Sequence, residues 1–122
     1  MTRSKSRVSK DQSQILVSIL LSNEASPKGT VWIAQCLQWD IAGQGESPRA
    51  ALHAFEQVFW AHILRDIEKG RPILQKEPAP QELWDQFRAG MPFRDAYSLR
   101  PPASIRLPRV EANEIRLAAE AA

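Results

Sequence analysis

Short apolar runs in the first third of the chain give way to one long amphipathic segment. Residues 14–22 are rich in Ile, Leu and Val and too short for a typical helix, which predicts a strand buried on both faces. Residues 30–40 alternate in polarity and predict a long second strand, or one with a bulge near Gln35. Between them, residues 23–30 collect Asn, Ser, Pro and Gly, which predicts a hairpin loop longer than the minimum.

The long amphipathic segment has clear start and stop signals for a helix. Ser47 is a favourable N-cap, Pro48 suits the first helical position, and Gly70 follows the last periodic residue. The pattern predicts a helix from Pro48 to Lys69 whose apolar face covers a small sheet, with Glu56 turned away from most of that face.

The glycines before this helix raise the question of phosphate binding. Ile41 and Ala42 begin a short third strand that leads into Gly43-Gln44-Gly45. The third glycine of a dinucleotide fingerprint is absent, and no Lys-Ser or Lys-Thr pair opens the helix as in a P-loop. The pattern favours glycines that allow a tight strand exit or a close approach of backbone.

The C-terminal part is rich in proline. A linker precedes a predicted short helix over residues 81–89, which carries Leu83, Trp84 and Phe87 on one side. The remainder is interpreted as an irregular tail, in which residues 104–110 and 114–118 alternate weakly as a late strand or the start of a helix. The predicted organisation is a basic flexible arm (1–13), an α+β domain (14–76) and a C-terminal extension (77–122).

Charge is concentrated at the N-terminus. The 122-residue chain has a formal net charge of +2, and residues 1–10 hold four basic residues and no acid. Removing these four from the 16 basic residues leaves 12 against 14 acidic ones, so the remainder has a net charge of −2. The arm is therefore the candidate nucleic-acid contact, through the following residues: Arg3, Lys5, Arg7 and Lys10.

The composition fits one globular domain. The chain is 43% hydrophobic and 25% charged, and its longest apolar run is far shorter than the roughly 20 residues of a membrane-spanning helix. A single cysteine, Cys36, excludes an internal disulfide and is predicted to be buried and inert. These features predict a cytoplasmic protein with no membrane segment.

The titratable residues do not form a recognisable catalytic or metal-binding pattern. His53 and His62 are nine positions apart, which places their imidazoles on opposite sides of an ideal helix. Asp40, Glu46 and Glu56 lie around the strand-to-helix corner, where two-metal nucleases hold their acids. Acids in these places are more often a cap, a turn residue and part of a solvated face. We expect no enzymatic activity, metal or cofactor.

Four tryptophans are many for this length and indicate a contact surface. Strand alternation places Trp32 and Trp39 on opposite faces, and one long helix covers only one face of the sheet. We predict that Trp32, Trp39, Trp84 and Phe87 bind a partner. The uncovered face also predicts a homodimer, and its cover could come from the short helix folding back, from the same helix of a second subunit, or from a partner.

The segment from residue 14 to residue 70 resembles the N-terminal domain of the HicB-like antitoxin family, with an aromatic strand, a Gln-Gly corner and a capped helix. The matching residues are Trp32, Ala34, Cys36, Asp40, Gln44, Gly45, Ser47, Ala51, Leu52 and Phe55. The resemblance implies a β-β-β-α-β fold, a degenerate RNase H-like half that binds and masks a small toxin ribonuclease.

The sequence therefore predicts an α+β protein with a small antiparallel sheet, one long helix on one face and a short C-terminal helix. The predicted function is a non-enzymatic protein-binding module that resembles the antitoxin of a toxin-antitoxin pair. The alternative is a nucleic-acid-binding accessory protein that uses the basic arm.

Overall fold

The computed structural model describes residues 15–102 and 110–119. In this part of the chain the elements are, in order, β1 (Ile15–Ser26), β2 (Gly29–Cys36), β3 (Ile41–Gly45), α1 (Pro48–Glu68), α2 (Gln81–Ala89), β4 (Met91–Pro92) and β5 (Val110–Leu117). No helix in these ranges is long and apolar enough to cross a membrane. The basic arm lies outside the described residues.

The strands form one sheet in the order β3-β2-β1-β5-β4. The α+β class, with one long and one short helix, is confirmed. The sheet is mixed rather than wholly antiparallel, because β5 pairs with β1 in parallel while the other pairs are antiparallel. A parallel neighbour needs a long crossover connection, and the helices between β1 and β5 supply one.

The prediction of a long loop between the first two strands is wrong. The pairing continues to Ser26 opposite Gly29, so only Pro27 and Lys28 form the turn. Gly29 has a φ of +120°, and the Ser26 hydroxyl donates a hydrogen bond to the Gly29 carbonyl oxygen. Backbone pairing thus extends through a polar segment whose composition is typical of a loop.

The prediction that Trp32 and Trp39 lie on opposite faces is also wrong. Strand β2 ends at Cys36, and residues 37–40 form a turn in which Asp40 has a φ of +54°. The turn interrupts the alternation on which the prediction rested, and both tryptophans pack against the same core cluster.

Helix α1 has the predicted start, and its observed end, Glu68, is one residue before the predicted one. The Ser47 hydroxyl accepts a hydrogen bond from the Ala50 amide at 3.1 Å, as an N-cap does, and Pro48 is the first helical residue. The helix packs on one face of the sheet. The largest fully buried side chains of this core cluster are Phe55, Phe59, Ile19, Leu21, Leu52, Ile63, Val17 and Cys36.

Gly43 and Gly45 allow the α1 backbone to cross directly over strand β3. A Cβ atom at Gly43 would lie 2.1 Å from the Phe55 backbone nitrogen, and one at Gly45 would lie 2.7 Å from the Ala50 Cβ. Atoms do not approach this closely, so side chains at these positions would push the helix away. The two glycines are therefore packing residues at the corner between sheet and helix.

Helix α2 is observed over residues 81–89 as predicted and packs on the other face of the sheet. There it contributes to a second, smaller core cluster that contains Leu20, Leu37, Ala79, Phe87 and Ala118. The short helix of the same chain thus covers part of the face on which the dimer expectation depended.

In the C-terminal extension, the alternative of a late strand within residues 114–118 is confirmed, and the observed strand is Val110–Leu117. These residues form β5, which lies between β1 and β4 in the sheet. Strand β5 therefore belongs to the same sheet as the predicted α+β domain.

Candidate functional site

The four residues predicted to bind a partner do not come together in one surface. Trp32 and Trp39 are half-buried beside the α1 cluster, where the Trp39 ring centroid lies 6.4 Å from that of Phe59. Trp84 is half-buried and Phe87 is buried in the cluster beneath α2, across the sheet. These side chains mainly pack the two core clusters.

The predicted nucleic-acid contacts, Arg3, Lys5, Arg7 and Lys10, all fall outside the described residues. Their role as phosphate ligands stays a prediction from charge.

The acids near the strand-to-helix corner are in different surroundings. Asp40 and Glu46 are exposed, and Asp40 accepts a hydrogen bond from the Gln35 amide nitrogen. Glu56 is only 9% exposed and lies against residues 97–100. Within residues 15–102 and 110–119, no group of three or more His, Cys, Asp or Glu residues is placed to hold a metal ion.

Cys36 is fully buried, as predicted. Burial is the main reason that the pKa of its thiol is raised to about 11. A thiol in this position stays protonated near neutral pH and is a poor nucleophile.

The two edges of the sheet differ in how well they are protected against pairing with a further strand. Strand β4 is only two residues long and contains Pro92, and short strands and prolines both discourage further pairing at an edge. Strand β3, at the opposite edge, is five residues long and contains no proline or charged residue. Every second residue of an edge strand presents backbone N–H and C=O groups away from the sheet, and among residues 15–102 and 110–119 no strand pairs with the outer side of β3, so this edge is a template for another strand.

Carboxylates stand at both ends of this edge strand. Asp40 precedes β3 and Glu46 follows it, and both are exposed. The strand itself carries no charge: Ile41 is buried in the core, and Ala42 and Gln44 are exposed on the face opposite α1. We refer to Asp40–Glu46 as the β3 edge.

A cleft of about 560 Å³ lies elsewhere, between the outer side of α1 and the segment 96–100. Its lining residues are Arg49, His53, Glu56, Gln57, Trp60, Ala96, Tyr97, Ser98 and Arg100. Arg49 donates a hydrogen bond to the Ala96 carbonyl oxygen at 2.8 Å, and its guanidinium carbon lies 5.6 Å from the centroid of the Tyr97 ring. Arg49 thereby holds the segment against the helix.

The buried Glu56 carboxylate is the centre of this contact. It accepts hydrogen bonds from the Trp60 indole N–H at 3.1 Å, from the Tyr97 hydroxyl at 2.7 Å and from the Arg100 backbone amide. Three donors compensate for the lost hydration of the carboxylate, which explains how a charged side chain is buried here. Glu56 therefore fixes the segment that leads from β4 toward β5.

The sequence pattern missed this role. Helical periodicity placed Glu56 on the face away from the sheet, which is correct, but nothing marked residues 97–100 as the segment that covers it. The only local signal is the spacing of Glu56 and Trp60, which are one helical turn apart and therefore neighbours on the helix surface.

The Tyr97 phenol supplies a pH-dependent reporter of this contact. Burial, followed by the Glu56 carboxylate, raises the pKa of Tyr97 well above its usual value. Because the folded-state pKa is raised, the stability that this group contributes is full below about pH 10, the unfolded pKa, and is lost as the pH rises toward the folded pKa. Tyr97 is the only tyrosine, so its ultraviolet absorbance titrates without overlap from another phenol.

At about pH 10, where an unperturbed tyrosine is half ionised, we expect the folded protein to show less tyrosinate absorbance than the denatured chain. Glu56→Gln is expected to move the native titration toward the usual value, because it removes the negative charge beside the hydroxyl. A native titration that coincides with the denatured one would contradict the hydrogen bond between Tyr97 and Glu56.

Comparison with protein-family models, with curated proteins and with solved structures finds no match to this chain.

Proposed function

We propose that this chain is a non-enzymatic protein-binding module whose partner adds a β-strand to the β3 edge. The chain would mask this partner as an antitoxin masks a small RNA-cleaving toxin. The observation that carries the proposal is the unprotected edge strand, Ile41–Gly45, at one end of a five-stranded sheet. Strand addition satisfies the outward backbone groups of such an edge and gives affinity without a deep pocket.

The order of elements supports the comparison with HicB-like antitoxins. With α2 and the two-residue β4 set aside, the elements follow the order β-β-β-α-β that the resemblance implies. The Gly43 and Gly45 positions serve as a packed corner between sheet and helix, which fits a binding fold better than a phosphate site. The proposal therefore combines the resemblance with a surface suited to a protein partner.

The position of α1 leaves the edge accessible. Helix α1 packs over one face of β3, at Gly43 and Gly45, while Ala42 and Gln44 are exposed on the other face. Within the described part of the chain, no other strand occupies the outer side of β3 in the plane of the sheet.

A lysine on the edge strand tests the proposal. Ala42→Lys places a charge that discourages strand pairing at the edge, and Ala61→Lys places the same charge at an exposed alanine of α1. Binding of a purified small toxin ribonuclease, the class of partner proposed here, would be measured by isothermal titration calorimetry. We expect Ala42→Lys to weaken binding about tenfold or more, a loss of about 1.4 kcal/mol, and Ala61→Lys to leave it unchanged.

Equal effects of the two lysines would contradict binding at this edge. Absence of binding by the wild-type chain, together with no inhibition of that protein's RNA cleavage, would contradict the antitoxin role itself.

The alternative, nucleic-acid binding by the basic arm, is favoured only by the four cations in residues 1–10. Deleting these residues would then flatten the dependence of log K on log salt by up to about 4 × 0.9. An unchanged slope would exclude the arm as the phosphate-binding element.

A further inference from the structure

We propose that the cleft between α1 and residues 96–100 binds a small organic anion, a molecule that carries a phosphate or carboxylate group on a compact apolar body. None of the described lining residues belongs to the β3 edge, so the site goes beyond the proposed function and does not depend on it. Three observations support the site: the volume of the cleft, the positive charge of its lining, and the hydrogen bonds that already occupy its carboxylate.

The cleft has the size of a small-molecule site. Its volume of about 560 Å³ falls in the range of roughly 300–1,000 Å³ that is usual for ligand pockets. Trp60, Tyr97 and Ala96 belong to the wall and offer apolar surface, and aromatic side chains commonly contact the body of an organic ligand. Inorganic phosphate would leave most of this space unfilled. A ligand that fills the cleft therefore needs an apolar part as well as a charged one.

The lining carries more positive than negative charge. Arg49 and Arg100 both line the cleft and are exposed, and Glu56 is the only acid among its described lining residues. With histidine counted as neutral, the described lining has a formal net charge of +1. A cleft of one sign of charge raises the local concentration of oppositely charged ligands, so this lining favours anions over cations.

The one acid of the lining already has its hydrogen bonds. The Glu56 carboxylate accepts from the Trp60 indole N–H, the Tyr97 hydroxyl and the Arg100 backbone amide. A carboxylate has about four acceptor positions, so few remain for a ligand. Glu56 is also buried, which limits its contact with a molecule in the cleft. The lining is therefore unsuited to a ligand that mainly donates hydrogen bonds, such as an amine.

Arg49 is the main donor that remains for a ligand. One of its N–H groups bonds to the Ala96 carbonyl oxygen at 2.8 Å, and its guanidinium carbon lies 5.6 Å from the centroid of the Tyr97 ring. A guanidinium has about five N–H donors, so this bond leaves most of them available. Because the group is already held in place, it can bind two oxygens of a phosphate or carboxylate with little further loss of side-chain freedom.

The arrangement along α1 gives the two parts of the ligand different neighbours. Arg49 lies in the first turn of the helix, which contains no acidic residue, and the positive end of the helix dipole also favours an anion there. Arg49, His53 and Gln57 follow at intervals of four residues and line the helix wall of the cleft. The charged group of the ligand is therefore placed at Arg49, and its apolar body extends toward Tyr97 and Trp60.

Four probes test this assignment: phenyl phosphate, benzoate, benzyl alcohol and inorganic phosphate. Binding to the full-length ¹⁵N-labelled protein would be followed through the backbone amides of His53 and Ser98 and the indole N–H of Trp60. We expect phenyl phosphate and benzoate to bind about tenfold more tightly than benzyl alcohol, which lacks the charge. We expect phenyl phosphate to bind about fivefold more tightly than inorganic phosphate, which lacks the apolar body. The tighter of the two organic anions identifies the preferred charged group.

Three variants locate the anion within the cleft. Arg49→Lys keeps the charge and loses the paired N–H groups, so phenyl phosphate should bind about fivefold more weakly. Arg100→Gln removes a charge and keeps the backbone amide that donates to Glu56, and a loss of about twofold to threefold is expected. Arg94→Gln, at an exposed arginine that does not line the cleft, is the matched control and should leave binding unchanged. The absorbance titration of Tyr97 verifies that residues 96–100 stay in place.

Each part of the proposal has a result that would overturn it. Equal binding of benzyl alcohol and phenyl phosphate would overturn the selection for an anion, and equal binding of the two phosphates would overturn the organic body. Equal losses in Arg94→Gln and Arg100→Gln would show attraction to the surface in general. Unchanged cleft resonances at about 10 mM phenyl phosphate would overturn the site itself. The Ala42→Lys test at the β3 edge uses other residues and another partner, so either proposal can fail without the other.

Discussion

Gly43→Ala is expected to lower the free energy of unfolding by about 3 kcal/mol, at the upper end of the usual effect of overpacking. The added methyl would meet the Phe55 backbone nitrogen at 2.1 Å, so α1 and β3 must separate to accommodate it. The separation would also loosen contacts of Phe55 and Leu52, which are fully buried in the core beneath the helix. Denaturant unfolding followed by tryptophan fluorescence measures the loss.

The matched control for this variant is Ala42→Ser, on the same strand. Ala42 is exposed on the face opposite α1, so the added hydroxyl has access to solvent and little effect is expected. If Gly43→Ala were as stable as this control, the helix would not cross the strand as closely as the structure shows.

Glu56→Ala is expected to cost about 2–3 kcal/mol of stability, because a buried donor that loses its acceptor costs roughly 1–3 kcal/mol. The Trp60 indole N–H is the most affected donor, since Trp60 is only 5% exposed. Tyr97 is half-buried, so water replaces part of its lost hydrogen bond. Denaturant unfolding again measures the change, and Glu68→Ala, an exposed acid of the same helix, serves as the control.

A double-mutant cycle isolates one contact in this network. Glu56→Gln and Tyr97→Phe each weaken the same hydrogen bond, so their combined effect should be smaller than the sum by about 1 kcal/mol. Strict additivity of the two changes would show that Tyr97 and Glu56 are not coupled.

The elements that the sequence predicts best are those with local signals. Ser47 and Pro48 mark the start of α1, and the spacing of Trp84 and Phe87 with Gly90 defines α2, because capping and helical periodicity depend on residues close in the chain. The alternation in residues 30–40 gave the wrong face for Trp39. The strand ends before Trp39 in a turn whose composition does not mark it as a turn, so the alternation of faces does not continue to this residue.

The local hydrophobic pattern could not predict which strands pair when they are far apart in the sequence. The pairing of Ile15 with Val110 joins residues that are far apart in the sequence, and nothing in either strand specifies that they pair or that they run parallel. For the same reason, the pattern located β3 correctly but did not identify it as an edge, which depends on the order of all the strands. The burial of Glu56 likewise depends on where residues 97–100 return to the helix.

The parallel pairing of β1 and β5 has a consequence for the chain as it leaves the ribosome. Strand β1 is the first described strand and β5 the last, so the apolar residues Ile19 and Leu21 have a strand on only one side until residues 110–117 have been synthesised. Contacts between residues so distant in sequence form slowly, and an unpaired apolar edge promotes aggregation in the meantime. A nascent chain halted before residue 110 is therefore the form of this protein most dependent on a chaperone, or on early capture of β1 by another strand.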